Sequence, residues 1–91
     1  MTNKELAKKL WRGAEKIERY GWTVGAYGDE ERGYCILGAC KATVISPEDH
    51  FLASFIAAQT TMAYWNDSVC SSKIEAISLL QAAAICAEEG I

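Results

Sequence analysis

Apolar residues recur at helical spacing at both ends of this chain, and that pair of stripes constrains the fold more than anything between them. In the first twenty residues Leu6, Leu10, Ala14 and Ile17 follow one another at intervals of four, four and three, with Ala7 and Trp11 widening the stripe. The spacing predicts a helix over about residues 3 to 20, buried along one face. Thr2 and Glu5 stand at capping-box spacing, and Gly21 is placed to stop the helix after Tyr20. Toward the other end Ile74, Ile77, Leu80, Ala84 and Ile85 form a second stripe, which starts behind Ser72 and Glu75 and stops at Gly90. A chain of 91 residues carrying two such helices has room for one domain.

Between the stripes the pattern changes. Residues 21 to 33 read GWTVGAYGDEERG, and four glycines with an acidic cluster exclude a long helix there. Trp22, Val24 and Ala26 suit one side of a short extended segment, with Asp29, Glu30, Glu31 and Arg32 as a solvent-exposed tip. In YCILGACKATVI the β-branched residues suit a strand, whereas Ala39, Lys41 and Ala42 suit a helix. The face formed by Ile36, Leu37, Cys40 and Val44 favours the helix, and Gly38 beside Ala39 would admit a neighbouring helix closely. Ser46-Pro47-Glu48-Asp49 is a strong helix start: an N-cap, a proline preset for the first turn and two acids facing the dipole. The stripe Leu52, Phe55, Ile56, Gln59, Met62 and Ala63 then predicts a central helix running to Trp65, broken by Asn66 and Asp67. These elements predict an all-α fold, a single helical domain over residues 1–91 of about four helices, with an irregular loop or small hairpin between the first two. The last helix is apolar beyond what one small core needs (Ala76, Leu79, Ala82, Ala83, Ala87), which points to a homo-oligomer.

Composition and charge narrow the function. At 51% apolar and 23% charged the chain is globular. It has no apolar run of the roughly 18 residues a membrane span requires. Without an export signal its expected location is a cytoplasm, and Cys35, Cys40, Cys70 and Cys86 are expected as reduced thiols. Their spacing matches no zinc template, and His50 is the only histidine, so no metal site is expected. Residues 1 to 20 carry six basic and three acidic side chains, against three basic and nine acidic in the remainder. A basic helix on an acidic body lacks the positive domain and groove-docking motif of duplex nucleic-acid binders; a solvated face laced with ion pairs is the plainer reading. No Walker loop, dinucleotide fingerprint or paired-carboxylate motif is present, and no cofactor is implied.

Three patches at predicted helix edges carry the remaining information: WTVGAY at 22 to 27, YCILGA at 34 to 39 and WND at 65 to 67. They combine large aromatics, glycines and a few polar groups, the materials of a concave recognition site. Trp22, Tyr27, Tyr34 or Trp65 could stack on a flat ring, and Asn66 and Asp67 could read its donors and acceptors. The helix start at Gly33-Tyr34-Cys35 could receive a phosphate on its unpaired N–H groups, with Arg32 and Lys41 as countercharge. If the junctions converge, Trp22, Tyr34, Trp65, Asn66 and Asp67 should line one pocket. Each residue also has a packing explanation: Trp65 as a wedge into the core, Trp22 as the closure of the first helix, Asn66 and Asp67 as caps. A catalytic reading makes Cys35 a nucleophile activated by the helix dipole, His50 its base and Asp67 the orienting group. The single histidine and the lack of any local nucleophile signature weigh against it, so enzyme status stays open and the non-catalytic reading is preferred.

Gly21, Trp22, Gly25, Ala26 and Tyr27, then Cys35, Leu37, Gly38 and Ala39, then Trp65, Asn66 and Asp67 give the chain a resemblance to a family of small phage-encoded and actinobacterial domains of unknown function. The resemblance spans nearly the whole chain; many members carry a longer loop between the first two patches. It implies a fold and a phage setting but no reaction. By analogy with small phage proteins that hold nucleotide immune signals in oligomeric pockets, it suggests sequestration of a phosphorylated small molecule, an anti-defence role. The competing expectation is an interaction protein that grips a host protein with its basic first helix, and the third is the hydrolase of Cys35 and His50.

Overall fold

A computed structural model describes residues 3–43, 46–56 and 61–90, and two long helices form its spine. Helix α1 spans Asn3–Tyr20 and helix α5 spans Lys73–Glu89. They run antiparallel: Trp11 Nε1 donates to Glu88 Oε1 at 2.6 Å near one end, and Lys73 Nζ donates to the Glu18 carbonyl at 2.9 Å near the other. The stripe of Leu6, Leu10, Ala14 and Ile17 is buried with Ala76, Leu80, Ala83, Ala84 and Ala87 in one core. Leu10, Ile17 and Leu80 lose all contact with solvent, and each such side chain contributes about 1.5–3 kcal/mol. The helix starts behind Ser72, whose Oγ accepts from Glu75 N at 3.2 Å. The Glu75 carboxylate does not close the box on Ser72; it takes the N–H and hydroxyl of Ser71 at 2.9 and 2.6 Å. Thr2, its counterpart at the first helix, lies outside the described residues. Ile74 and Ile85 stand exposed on α5, Ile74 at 76%.

A two-stranded antiparallel hairpin follows α1. Strand β1 (Gly28–Asp29) pairs with β2 (Gly33–Tyr34), Gly28 opposite Tyr34 and Asp29 opposite Gly33. Asp29 Oδ1 accepts from Glu31 N and Arg32 N at 3.0 and 2.8 Å and so closes the exposed tip. On the other side of β2 runs the chain from Gly21 to Thr23: Tyr34 N donates to the Gly21 carbonyl at 2.8 Å and Thr23 N to the Tyr34 carbonyl at 3.1 Å. Gly33 has φ of 91°, and a β-carbon there would come within 2.5 Å of the Gly21 carbonyl carbon, so glycine is required. Of the extended segment expected at Trp22, Val24 and Ala26, Trp22 makes a parallel bridge to Tyr34, whereas the chain bends after Thr23 and leaves Val24 and Ala26 in solvent.

The middle of the chain departs further from its pattern. Helix α2 covers only Ile36–Ala39, a single turn. It ends in a Schellman turn, in which Ala42 N donates to the Leu37 carbonyl at 2.9 Å and Lys41 N to the Gly38 carbonyl at 3.1 Å. That closure takes the carbonyls a longer helix would use; Val44, on the expected helical face, lies outside the described residues. The expected central helix is divided as well. Helix α3 (Pro47–Ala53) starts as predicted, with Ser46 Oγ accepting from Asp49 N at 3.2 Å. It stops where Ser54 donates its hydroxyl to the Phe51 carbonyl at 2.6 Å. Thr61 then caps a new turn, α4 (Met62–Tyr64), its Oγ1 accepting from Tyr64 N at 3.1 Å. Gln59 falls in the undescribed stretch between them. A π-helical turn over Trp65–Val69 follows directly, closed by Cys70 N donating to the Trp65 carbonyl at 2.8 Å. The described residues therefore form a mostly helical fold of five α-helices, one π-helical turn and one small hairpin, where about four helices were expected. None of these helices is long and apolar enough to cross a membrane.

The basic face of α1 reaches across to α3 through one of its lysines. Lys9 Nζ meets the buried Glu48 carboxylate of α3 at 2.6 Å, and the lysine hydrogen bond holds that carboxyl below its ordinary range. Arg12, Lys16 and Arg19 have no carboxylate within 4 Å among the described residues. Lys16 instead lies 5.3 Å from the ring centroid of Tyr34.

Lys41, at φ of 54°, is the one non-glycine residue in the left-handed region among the described residues. Glycine is the favoured occupant of this Schellman position, so Lys41→Gly should stabilise the domain by about 0.5–1 kcal/mol. Thermal unfolding would show it as a Tm increase of about 4 °C, and an unchanged or lower Tm would mean that the lysine carries no backbone strain.

Candidate functional site: a cleft organised by Asn66

Trp65, Asn66 and Asp67 open the π-helical turn, and successive side chains on a helix diverge by roughly 100°. Trp65 turns inward and is 9% exposed, part of the core as a wedge. Asn66, at 2% exposure, lies between the turn and the two preceding junctions. Its Oδ1 accepts from Trp22 Nε1 at 2.8 Å and from Ile36 N at 3.1 Å; its Nδ2 donates to the Thr23 carbonyl at 3.1 Å and to Asp67 Oδ1 at 3.0 Å. One amide thus binds the loop after α1, the start of α2 and its own neighbour. Asp67 stays at the surface, where Oδ1 also accepts from Gly25 N at 3.0 Å.

A cleft of about 320 Å³ opens beside this junction. Tyr27, Asn66 and Asp67 line it together with the apolar Cys35, Leu37 and Met62 and the small Gly25, Ala26 and Ala63. Its wall is fixed by close backbone contact. Cys35 N donates to the Tyr27 carbonyl at 3.1 Å, and a β-carbon on Gly38 would overlap that same carbonyl. Gly38 therefore admits a loop, not the neighbouring helix its sequence context suggested.

The structure separates the residues expected to share one pocket. Tyr27, Cys35, Asn66 and Asp67 line the cleft; Trp22, Tyr34 and Trp65 do not. Trp22 directs its indole N–H to Asn66. Tyr34 packs edge-on against Tyr20 with ring centroids 6.0 Å apart, on the α1 side. Leu37 and Met62 line the cleft although their spacing reads as core, and the loop residues Gly25 and Ala26 carry no side-chain signal that could have placed them.

The N–H groups at the start of α2, expected to be open to a phosphate, are engaged within the protein. Ile36 N donates to Asn66, Gly38 N donates to Cys35 Sγ at 3.3 Å, and Leu37 N also points to that sulfur. Arg32 and Lys41 are absent from the cleft lining, whose one charged member is Asp67. Burial pushes the Cys35 thiol up, and the Asp67 charge adds to this; the backbone N–H groups of Gly38 and Leu37 oppose the shift and do not overcome it. A one-turn helix has little dipole to lower a thiol pKa. His50 is exposed on α3 and is not among the residues lining the cleft. No group of three or more His, Cys, Asp or Glu that could hold a metal ion occurs among the described residues.

Cys40 and Cys70 follow the same rule. Burial pushes Cys40 up to about 12, with a further rise from Glu48, and burial also raises Cys70. Cys86 is the least buried of the four. A thiol-reactive disulfide reagent at mildly alkaline pH should therefore label Cys86 first, the other three reacting at least about tenfold more slowly until the protein unfolds. Early labelling of Cys35 in the native protein would overturn this.

Removing the Asn66 amide leaves the Trp22 and Ile36 donors and the Thr23 carbonyl without partners. Asn66→Ala should cost about 3 kcal/mol, read from urea unfolding, with altered Trp22 emission. A loss below about 1 kcal/mol would show that these bonds do not hold the junction.

The chain belongs to a family of unknown function, DUF6197, whose model matches residues 1–85. Comparison with curated proteins and with solved structures finds no match.

Proposed function

We propose that this domain is a non-catalytic small-molecule binder and that the cleft beside Asn66 holds the ligand. The observation that carries this is the convergence of one carboxylate, one tyrosine and an apolar floor on a cleft beside the Asn66 junction, its wall fixed by the backbone contacts of Tyr27 with Cys35 and Gly38. At about 320 Å³ it lies at the lower end of small-molecule sites. Asp67 Oδ1 is engaged by Gly25 and Asn66, while Oδ2 takes part in neither bond and can accept from a ligand. A carboxylate in an otherwise uncharged cleft favours a group bearing N–H donors, and Tyr27 with Leu37 and Met62 favours a flat apolar one. A nucleobase meets both demands. The raised pKa of the Cys35 thiol supports capture over turnover.

The biological role that fits is sequestration of a nucleotide signal, in keeping with the phage-encoded and actinobacterial chains that the three patches resemble. Native mass spectrometry with a panel of cyclic nucleotides and ADP-ribose compounds should detect one captured species, released chemically unchanged on denaturation. Asp67→Asn keeps an acceptor for Gly25 N–H and removes the charge, and it should weaken capture about tenfold. No bound species and no thermal shift across the panel would refute the proposal, and a chemically altered ligand would show turnover instead.

A further inference from the structure

A second concavity, of about 360 Å³, lies between α1 and the turn that ends α2. Arg12, Lys16 and Arg19 line it from successive turns of one helix face, and Lys41 lines it from across the groove; Ala39 and Cys40, both buried, also line it. Lys9 is matched by Glu48, but these four cations have no carboxylate within 4 Å among the described residues. Glu15 is the sole acid in the lining. In a chain with net charge −3 this gathers positive potential into one place, and a concave low-dielectric wall strengthens it.

Lys41 sharpens the point. It occupies a left-handed backbone position that glycine would fill at lower energy, so the chain carries a strained residue there whose side chain joins Lys9, Arg12, Lys16 and Arg19 as the fifth cation lining the groove and the fourth without a carboxylate within 4 Å among the described residues.

We propose that this groove binds a compact, multiply charged phosphate anion of the pyrophosphate kind, independently of the cleft at Asn66. Several cations converging on one small volume suit charge concentrated in two adjacent phosphates. A long polyanion would have to continue across a body in which residues 21 to 91 hold nine acidic and three basic side chains. The same chemistry is presented by inorganic pyrophosphate and by the diphosphate of a nucleotide.

Isothermal titration at low salt with inorganic pyrophosphate, a nucleoside diphosphate and orthophosphate tests the assignment. Pyrophosphate and the nucleoside diphosphate should bind one per chain and orthophosphate more weakly. Equal affinity for the first two assigns an inorganic ligand, and tighter binding of the second assigns a nucleotide. Lys41→Gly relieves the backbone while removing a charge, so a loss of binding in it cannot be blamed on unfolding. It should weaken pyrophosphate about fivefold, the effect of one screened charge contact, and Arg12→Gln with Arg19→Gln by more than about tenfold. Asp67→Asn should leave pyrophosphate binding unchanged, which separates this site from the cleft. Absence of pyrophosphate binding, or binding indifferent to these substitutions, would overturn the proposal. So would capture of a single-stranded oligonucleotide or an acidic peptide by a protein that ignores pyrophosphate.

Discussion

The side-chain amide of Asn66 is the interaction on which the irregular half of this fold rests. Residues 24 to 26 belong to no helix or strand, and α2 is one turn long, so neither stretch has a reason to hold its shape in isolation. Asn66 supplies that reason from a third segment. The site needs an acceptor for Trp22 Nε1 and Ile36 N and, on the same group, a donor for the Thr23 carbonyl. Aspartate lacks the donor and leucine lacks both. A buried amide with every polar atom matched also opposes alternative packings, because any shift of the loop leaves a donor or carbonyl unpaired in a low dielectric.

That placement falls on a π-helical turn. Trp65 is buried in the core, Asn66 is buried against the loop and Asp67 is exposed, at the start of the turn over Trp65–Val69 that Cys70 N closes on the Trp65 carbonyl. Such turns frequently mark functional positions in other proteins. Here the turn brings a carboxylate beside a tyrosine and an apolar floor, and leaves the two tryptophans to structure.

The terminal helices were legible because the signals agree across levels: spacing, caps and stop residues all name the same boundaries for Asn3–Tyr20 and Lys73–Glu89. The middle was not, because its decisive interactions are local side-chain bonds that periodicity does not register. Ser54 donating to a carbonyl and Thr61 capping a new turn divide a stripe that looks continuous from Leu52 to Ala63. Lys41 ends α2 from a backbone conformation that no lysine advertises. The aromatics misled for a related reason: an indole N–H is equally suited to a ligand and to a buried amide, and only the position of Asn66 decides which it meets. Asn66 and Asp67 were recognisable as a unit, whereas their separate environments, Asn66 buried and Asp67 exposed at the cleft both line, fall on a π turn with no evident signature in WNDSV.

The division of charge around α2 follows from how that turn is held. Its first residues face the cleft whose only charge is Asp67, and its last residues, with Lys41, face the cations of α1. A single helical turn is too short to be stable by itself. It persists because Asn66 and the Cys35 sulfur satisfy its N–H groups, the Schellman turn satisfies its carbonyls, and Ile36, Leu37 and Ala39 are buried. The wall shared by an acidic cleft and a basic groove is thus the element with the least stability of its own, and both surfaces keep their shape only while the same tertiary bonds hold it.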